Sequence, residues 1–110
     1  MTIAMDDFER LDMRVGVIVD GEDLPAARKP SYRLLIDFGP LGTRQSVAAL
    51  KTDYRLEYLI NIQVVCVVNL SPRRIAGVKS EVLVLAATQD DGTLRLLVPH
   101  PAAEPGSKIT

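Results

Sequence analysis

Residues 69–87 read NLSPRRIAGVKSEVLVLAA, a compact basic turn between two strongly apolar runs. The run before it, Gln63–Asn69, holds four valines and one cysteine between its polar ends, and Pro72 ends that strand because proline lacks a backbone donor and has a fixed φ. Gly77 allows the backbone to turn where a side chain would clash. The pattern predicts two strands joined by a turn that gathers three cations at a strand end: Arg73, Arg74 and Lys79.

Alternating apolar and polar residues predict further strands upstream of this turn. Val15, Val17 and Val19 recur with a period of two, which places them on one face of a strand that begins near Met13. Residues 31–38 and 43–50 predict a hairpin around a glycine-containing turn at 39–42. Residues 82–88 and 94–98 predict a second hairpin around the turn Gln89–Gly92, and residues 99–110 an irregular tail.

Two short helices complete the predicted elements. Residues 6–11 carry early acids with apolar residues three apart, which predicts a helical turn, and residues 53–60 predict an amphipathic helix. The apolar run 63–70 predicts a strand buried on both faces, either within a barrel or against a second subunit. Three strands, a helix and further strands fit an all-β, five-stranded OB-fold barrel spanning residues 1–110, although the order alone also fits other small barrels.

Length and composition set the class of protein. At 110 residues we expect a single domain with a real core, and the apolar runs are too short to span a membrane. The acidic N-terminus lacks the features of an export signal, so we expect a cytoplasmic protein without membrane insertion. The only cysteine, Cys66, lies among valines, which favours a packing role in a reducing compartment.

The net charge of −1 hides an uneven distribution. Residues 26–80 hold nine bases and three acids, whereas residues 1–25 hold two bases and seven acids. This asymmetry is consistent with a basic face for anionic partners, and equally with ordinary solvated surface charge.

The residues needed for catalysis or metal binding are missing. His100 is the only histidine and is flanked by prolines in the predicted tail, a poor place for a rigid general base. One cysteine and one histidine make no zinc motif, Gly39 and Gly42 lack the rest of a phosphate loop, and residues 90–92 are more typical of a hairpin turn than of a calcium loop. We therefore expect no enzymatic activity, no cofactor and no metal.

Three separated blocks, in the right order, resemble the tRNA-binding domain family, and most closely its branch of CsaA-type secretion chaperones. The blocks are Asp7-Phe8 with Asp12–Ile18, Ala27–Leu34 with Ile36–Gly39, and Asn69–Glu81. Many tRNA-binding members follow the Ser-Glu pair with Gly-Met, whereas this chain has Val82-Leu83, a departure that favours the CsaA-type branch. The resemblance makes the OB-fold the firm choice, and it implies a homodimer joined through the terminal extensions and binding of unfolded or export-bound polypeptides, structured RNA such as tRNA, or both.

The expected binding site lies on the open barrel face and its loops. Its candidate residues are Arg28, Lys29, Tyr32, Asn69, Arg73, Arg74, Lys79, Ser80 and Glu81. Positions that match the family's RNA site are Lys29, Asn69, Arg73, Ser80 and Glu81, and Tyr32 is the main candidate for an exposed ring on which a base stacks. Each has an ordinary alternative: Asn69 caps a strand end, Ser80 satisfies a turn amide, and Glu81 pairs with Arg14 or Lys79.

The resemblance favours a non-catalytic chaperone that binds polypeptides and also structured RNA, and the alternative is a dedicated tRNA-binding protein that recognises shape. An interaction module attached to a synthetase or translation factor is less favoured. Exposed apolar area beside Lys29 and Arg74 favours the polypeptide, and a continuous cationic surface favours RNA.

Overall fold

A computed structural model describes all 110 residues. Five strands form one antiparallel sheet in the order β3-β2-β1-β4-β7, and two small hairpins, β5–β6 and β8–β9, flank it. The elements in chain order are α1 (Met5–Glu9), β1 (Met13–Asp23), β2 (Tyr32–Asp37), a 3₁₀ turn (Gly39–Leu41), β3 (Thr43–Ala48), α2 (Leu56–Leu59), β4 (Gln63–Val67), β5 (Arg73–Ile75), β6 (Val78–Ser80), β7 (Leu83–Val84), β8 (Ala86–Thr88) and β9 (Leu94–Leu96).

The long strand β1 organises the barrel because it pairs with two partners along its length. Its first half pairs with β4 and its second half with β2, and the register shifts between Ile18 and Asp20. Such an irregularity bends a strand, which lets the sheet curl. The sheet nearly closes beside β3, where the Glu81 amide donates to the Gln45 carbonyl (2.9 Å) and the Ser46 hydroxyl to the Val82 carbonyl (2.7 Å). The prediction of an OB-like five-stranded barrel with a short helix between β3 and β4 is confirmed.

Strand β4 is buried on both faces, as its apolar run predicts. Val64, Cys66 and Val68 belong to the main core inside the barrel. Val65 and Val67 point to the other face and form a second cluster with Met13. The residues packed over that cluster include Phe8 and Ile109, so the chain's own terminal segments cover it.

The tail after Pro99 contains no long strand but docks along the edge of β1. The Gly106 amide donates to the Val15 carbonyl (2.7 Å), and the Val15 and Ile109 amides continue the pairing with Ser107 and Met13 at 2.9 Å. Both polar atoms of the Gln63 side chain bind the backbone of Ala103. The tail therefore completes the sheet edge that β2 leaves free.

Three elements differ from their predicted form. Helix α2 is shorter than residues 53–60, because Asp53 and Tyr54 instead accept hydrogen bonds from the β9 amides of Leu94 (2.9 Å) and Leu96 (3.1 Å). The predicted strand 82–88 is divided, since β7 pairs with β4 whereas β8 pairs with β9. The basic turn is itself a hairpin, β5–β6, with Ala76 and Gly77 at positive φ in its turn.

The turn between β8 and β9 has the hairpin form expected of it. The Thr93 amide (3.0 Å) and hydroxyl (2.7 Å) both donate to Asp91 Oδ1. These two hydrogen bonds lower the pKa of the Asp91 carboxyl, and the one from the Thr93 backbone has the larger effect.

Candidate nucleic-acid interface

The β5–β6 hairpin places two positive side chains opposite each other, an arrangement that a bound anion would stabilise. In its register, Arg74 lies directly opposite Lys79, and Arg73 lies opposite Ser80. Like charges directly opposite one another destabilise a strand pair. The only hydrogen bond of the Arg74 side chain goes to the Gly77 carbonyl (3.3 Å), which does not neutralise its charge. A bound anion would remove this repulsion.

A groove of about 630 Å³, here called the basic groove, separates this hairpin from the loop between β1 and β2. Arg28 and Lys29 border it from the loop, and Arg73 and Arg74 from β5. All four side chains are exposed at its rim. The lining between them is mostly apolar and includes Val47, Ala48, Leu50, Ile75, Leu83, Val84 and Leu94. The surface is therefore neither purely cationic nor purely apolar, but a cationic rim on an apolar floor.

The four rim cations have no acidic partners. The ion pairs of the chain involve other bases, namely Arg14, Arg33, Lys51 and Arg55. Because no neighbouring carboxylate neutralises the rim, its positive potential is available to a ligand.

A second groove of about 520 Å³, here called the Glu81 groove, adjoins the basic groove. Its lining combines Ser71, Ser80 and Glu81 with apolar side chains such as Leu70 and Leu83. The two grooves share the lining residues Val47, Arg73 and Leu83, so they meet at Arg73.

Within the Glu81 groove the two predicted polar residues, Ser80 and Glu81, differ in their hydrogen bonding. The Ser80 hydroxyl accepts a hydrogen bond from the Val47 amide (3.0 Å), so it satisfies a backbone amide of β3. The Glu81 carboxylate forms no hydrogen bond and no ion pair; Arg14 binds Asp12 instead (2.7 Å). The alternative that Glu81 pairs with Arg14 or Lys79 is therefore wrong.

Asn69 and Lys79 line neither groove. The Asn69 side chain accepts from the Asp12 amide and donates to the Arg10 carbonyl, both at 2.8 Å. It thus holds the end of β4 against the segment before β1, which matches the alternative of a strand-end cap. Lys79 lies on the exposed face of the hairpin, across from Arg74.

The prediction that Tyr32 supplies an exposed stacking ring is wrong. Its side chain is 6% exposed within the main core, and its hydroxyl donates to the Tyr54 carbonyl (2.7 Å). Tyr32 shares the inward face of β2 with Leu34 and Ile36, which explains its burial. Tyr58 is the strongly exposed tyrosine, and neither it nor the exposed His100 lines a groove.

Sequence reasoning missed the apolar residues that the two grooves share. Val47 comes from β3 and Leu83 from β7, and neither carries a polar group that marks it as a site residue. The alternation in residues 43–50 gives the side of β3 on which Val47 lies, but only the closed barrel brings the hairpin over that side.

No reactive centre lies in either groove. Cys66 is buried in the core, and burial raises the pKa of its thiol to about 12. His, Cys, Asp and Glu form no cluster of three or more that could hold a metal ion. None of the helices has both the length and the apolar character required to cross a membrane.

Comparison with known proteins places this geometry in a family. Residues 13–108 match the family model described as "Putative tRNA binding domain". The structure of chaperone CsaA from Bacillus anthracis is 44% identical and superposes with a TM-score of 0.94, with all of both chains covered. The CsaA chaperone protein from Picrophilus torridus is also 44% identical, with a TM-score of 0.92 and coverage of 99% of this chain and 100% of that one.

A methionine–tRNA ligase from Porphyromonas gingivalis is 40% identical over 107 residues. The match covers 97% of this chain, but the chain spans only 15% of the ligase. The similarity thus concerns one segment of the ligase and not the enzyme as a whole. Together with the family model and the two superpositions, it shows that this chain belongs to the tRNA-binding domain family.

Proposed function

We propose that the chain is a non-catalytic binding protein that takes tRNA, or another structured RNA, in the basic groove. The observation that carries this proposal is the set of four exposed cations, two from the β1–β2 loop and two from strand β5, that rim one groove without any acidic partner. Three of the four are arginines, whose planar donor fork matches the geometry of a phosphate.

A folded RNA fits the site better than a continuous single strand. Proteins that coat single strands stack successive bases on exposed rings, and neither groove is lined by an aromatic residue. A folded RNA is instead held through its phosphates and riboses, with individual unpaired bases bound at their edges. The rim cations and the adjoining Glu81 groove offer those two kinds of contact.

A second candidate function is that of a chaperone that binds unfolded or export-bound polypeptides. The apolar floor beside Lys29 and Arg74 favours it, because alternate side chains of an extended segment find apolar contacts there. So does the similarity to CsaA chaperones, which extends over the whole of both chains. Against it, a cationic rim repels the basic residues of many export signals.

We also propose that the chain works as a homodimer in the cytoplasm, joined through its terminal segments. Apolar side chains remain exposed at both ends, including Ile3 (69%), Met5 (67%) and Val98 (54%). A second copy packed against the terminal segments would cover them. Pairing two grooves would also raise the affinity for a large RNA through effective concentration.

The test is a titration with folded tRNA, an unstructured RNA of equal length and an unfolded preprotein segment, each at low and moderate salt. Light scattering first establishes the oligomeric state. Tight, salt-sensitive binding that prefers the folded tRNA supports the proposal. Polypeptide binding that survives salt, together with weak tRNA binding, would replace it with the chaperone function.

A further inference from the structure

Glu81 is a negative charge placed beside a site built from cations. Its carboxylate lines the Glu81 groove with Arg73 and has neither a hydrogen-bond donor nor a cation bound to it. A carboxylate repels phosphate, so phosphate binding alone would be stronger without it. Its presence is explained if the ligand brings hydrogen-bond donors to this point.

The surroundings of Glu81 fit a flat, unpaired base. Ser71 and Ser80 supply polar atoms, whereas Leu70 and Leu83, which are 43% and 48% exposed, supply apolar surface for the faces of a ring. The Ser80 hydroxyl is already bound to the Val47 amide, and Ser71 is exposed, so Glu81 is the strongest unoccupied acceptor in the groove.

We infer that the Glu81 groove binds one unpaired guanine of the RNA, with the Glu81 carboxylate accepting hydrogen bonds from N1–H and the N2 amino group. Guanine is the only standard base that offers two adjacent donors on its Watson–Crick edge, matching the two oxygens of a carboxylate. Adenine and cytosine each place a ring acceptor beside the amino group, and uracil flanks its one donor with two acceptors, so these bases turn a lone pair towards the carboxylate.

The position of Arg73 connects this base to the phosphates. Arg73 lines both grooves, so a nucleotide whose base enters the Glu81 groove leaves its phosphate near the cations of the basic groove. This inference rests on the proposed function, since it assigns a base preference to the same RNA site.

The test uses short RNAs that differ in one base. The intact protein is titrated with UUGUU, UUIUU, UUAUU and UUUUU, where I is inosine, which keeps N1–H but lacks the amino group. A good bidentate base contact predicts about tenfold tighter binding of the guanine RNA than of the adenine RNA, with inosine between them. Glu81→Gln should reduce the guanine preference to about twofold or less, because the amide turns a donor towards the base.

Glu104→Gln is the matched control, because it removes the same charge from an exposed position outside both grooves. It should retain the guanine preference. Equal binding of the guanine and adenine RNAs by the wild type would overturn the inference, and so would a preference that persists in Glu81→Gln. Absence of salt-sensitive binding to every RNA, including folded tRNA, would instead refute the proposed function.

Discussion

Replacing Arg73 and Arg74 together with alanine should make RNA binding both weaker and less dependent on salt. Each phosphate neutralised by a side chain contributes a slope of about −0.7 to −0.9 to the dependence of log K on log salt concentration. Four unpaired cations border the basic groove, so one fully occupied groove predicts a slope of about −2.8 to −3.6. Removing two of the four should halve it.

The expected change is large enough to measure by fluorescence anisotropy with labelled tRNA. Raising salt from about 50 to 200 mM should weaken wild-type binding about 50- to 150-fold, and the double variant only about tenfold. The ratio of the two slopes is independent of how many grooves one RNA occupies, because every groove loses the same two cations. The ratio therefore stays interpretable whether or not the protein is a dimer.

The matched control is Arg55→Ala with Lys108→Ala, which removes two positive charges outside both grooves. Its slope should stay within about half a unit of the wild type, since it removes no phosphate contact. The basic groove is not where phosphates bind if the Arg73 and Arg74 variant has the same slope of log K against log salt concentration as the wild type. The same conclusion follows if the slope of the control variant falls as much as that of the Arg73 and Arg74 variant.

Three further outcomes follow from individual side chains. Asn69→Ala should destabilise the fold by about 1–2 kcal/mol in chemical denaturation, because two hydrogen bonds are lost, yet leave the salt slope for tRNA unchanged; a flattened slope would make Asn69 a ligand contact. Burial raises the pKa of the Cys66 thiol from 9.0 to about 12, so the thiol should react with a thiol reagent at neutral pH only after the protein unfolds. The contribution of the buried thiol to the free energy of unfolding should be lost as pH rises from about 9 towards 12. Rapid labelling of the native protein would contradict this. Gly106→Ala should lower the free energy of unfolding by about 2 kcal/mol or more, because a Cβ there would lie 2.6 Å from the Phe38 carbonyl oxygen. The control Gly92→Ala has a similar positive φ with open space around it, and it should cost about half as much. Equal losses in the two variants would mean that the close approach of Gly106 to Phe38 is unimportant.

Most of the barrel could be predicted because its strands carry local signals. The unbroken apolar run of β4 specifies burial from a few neighbouring residues. The alternation of valines in β1 predicts burial correctly only at Val15, because Ile18 lies in the core next to the register shift and Val19 is 40% exposed. The short strands β5 and β6 carry no such signal, since three residues are too few to establish a period. Their pairing depends on the turn at Gly77 and on contacts with β3, which lie far away in sequence.

The grouping of Arg28, Lys29, Arg73 and Arg74 around one groove could be predicted from the sequence, whereas the position of Lys79 outside it and the hydrogen bonding of the polar residues could not. Arg28 and Arg73 are apart in sequence, yet both were expected at the open face, because loops at one end of a barrel lie close together. The hydrogen-bond partners of Asn69 lie 57 and 59 residues away, so these hydrogen bonds could not be predicted from the neighbouring sequence. Tyr32 is different: the period of two in β2 places it on the same face as Leu34, so its burial was predictable.

The position of Arg73 explains why the hairpin is built with arginine at the junction of the two grooves. A guanidinium has five donors in one plane, so one edge can bind a phosphate while the other remains free for a second acceptor. A lysine ammonium is a compact point charge and does not offer two separate donor edges. On the proposed function, the hairpin would divide two roles, with its cations holding any polyanion and the Glu81 carboxylate distinguishing one unpaired base from another.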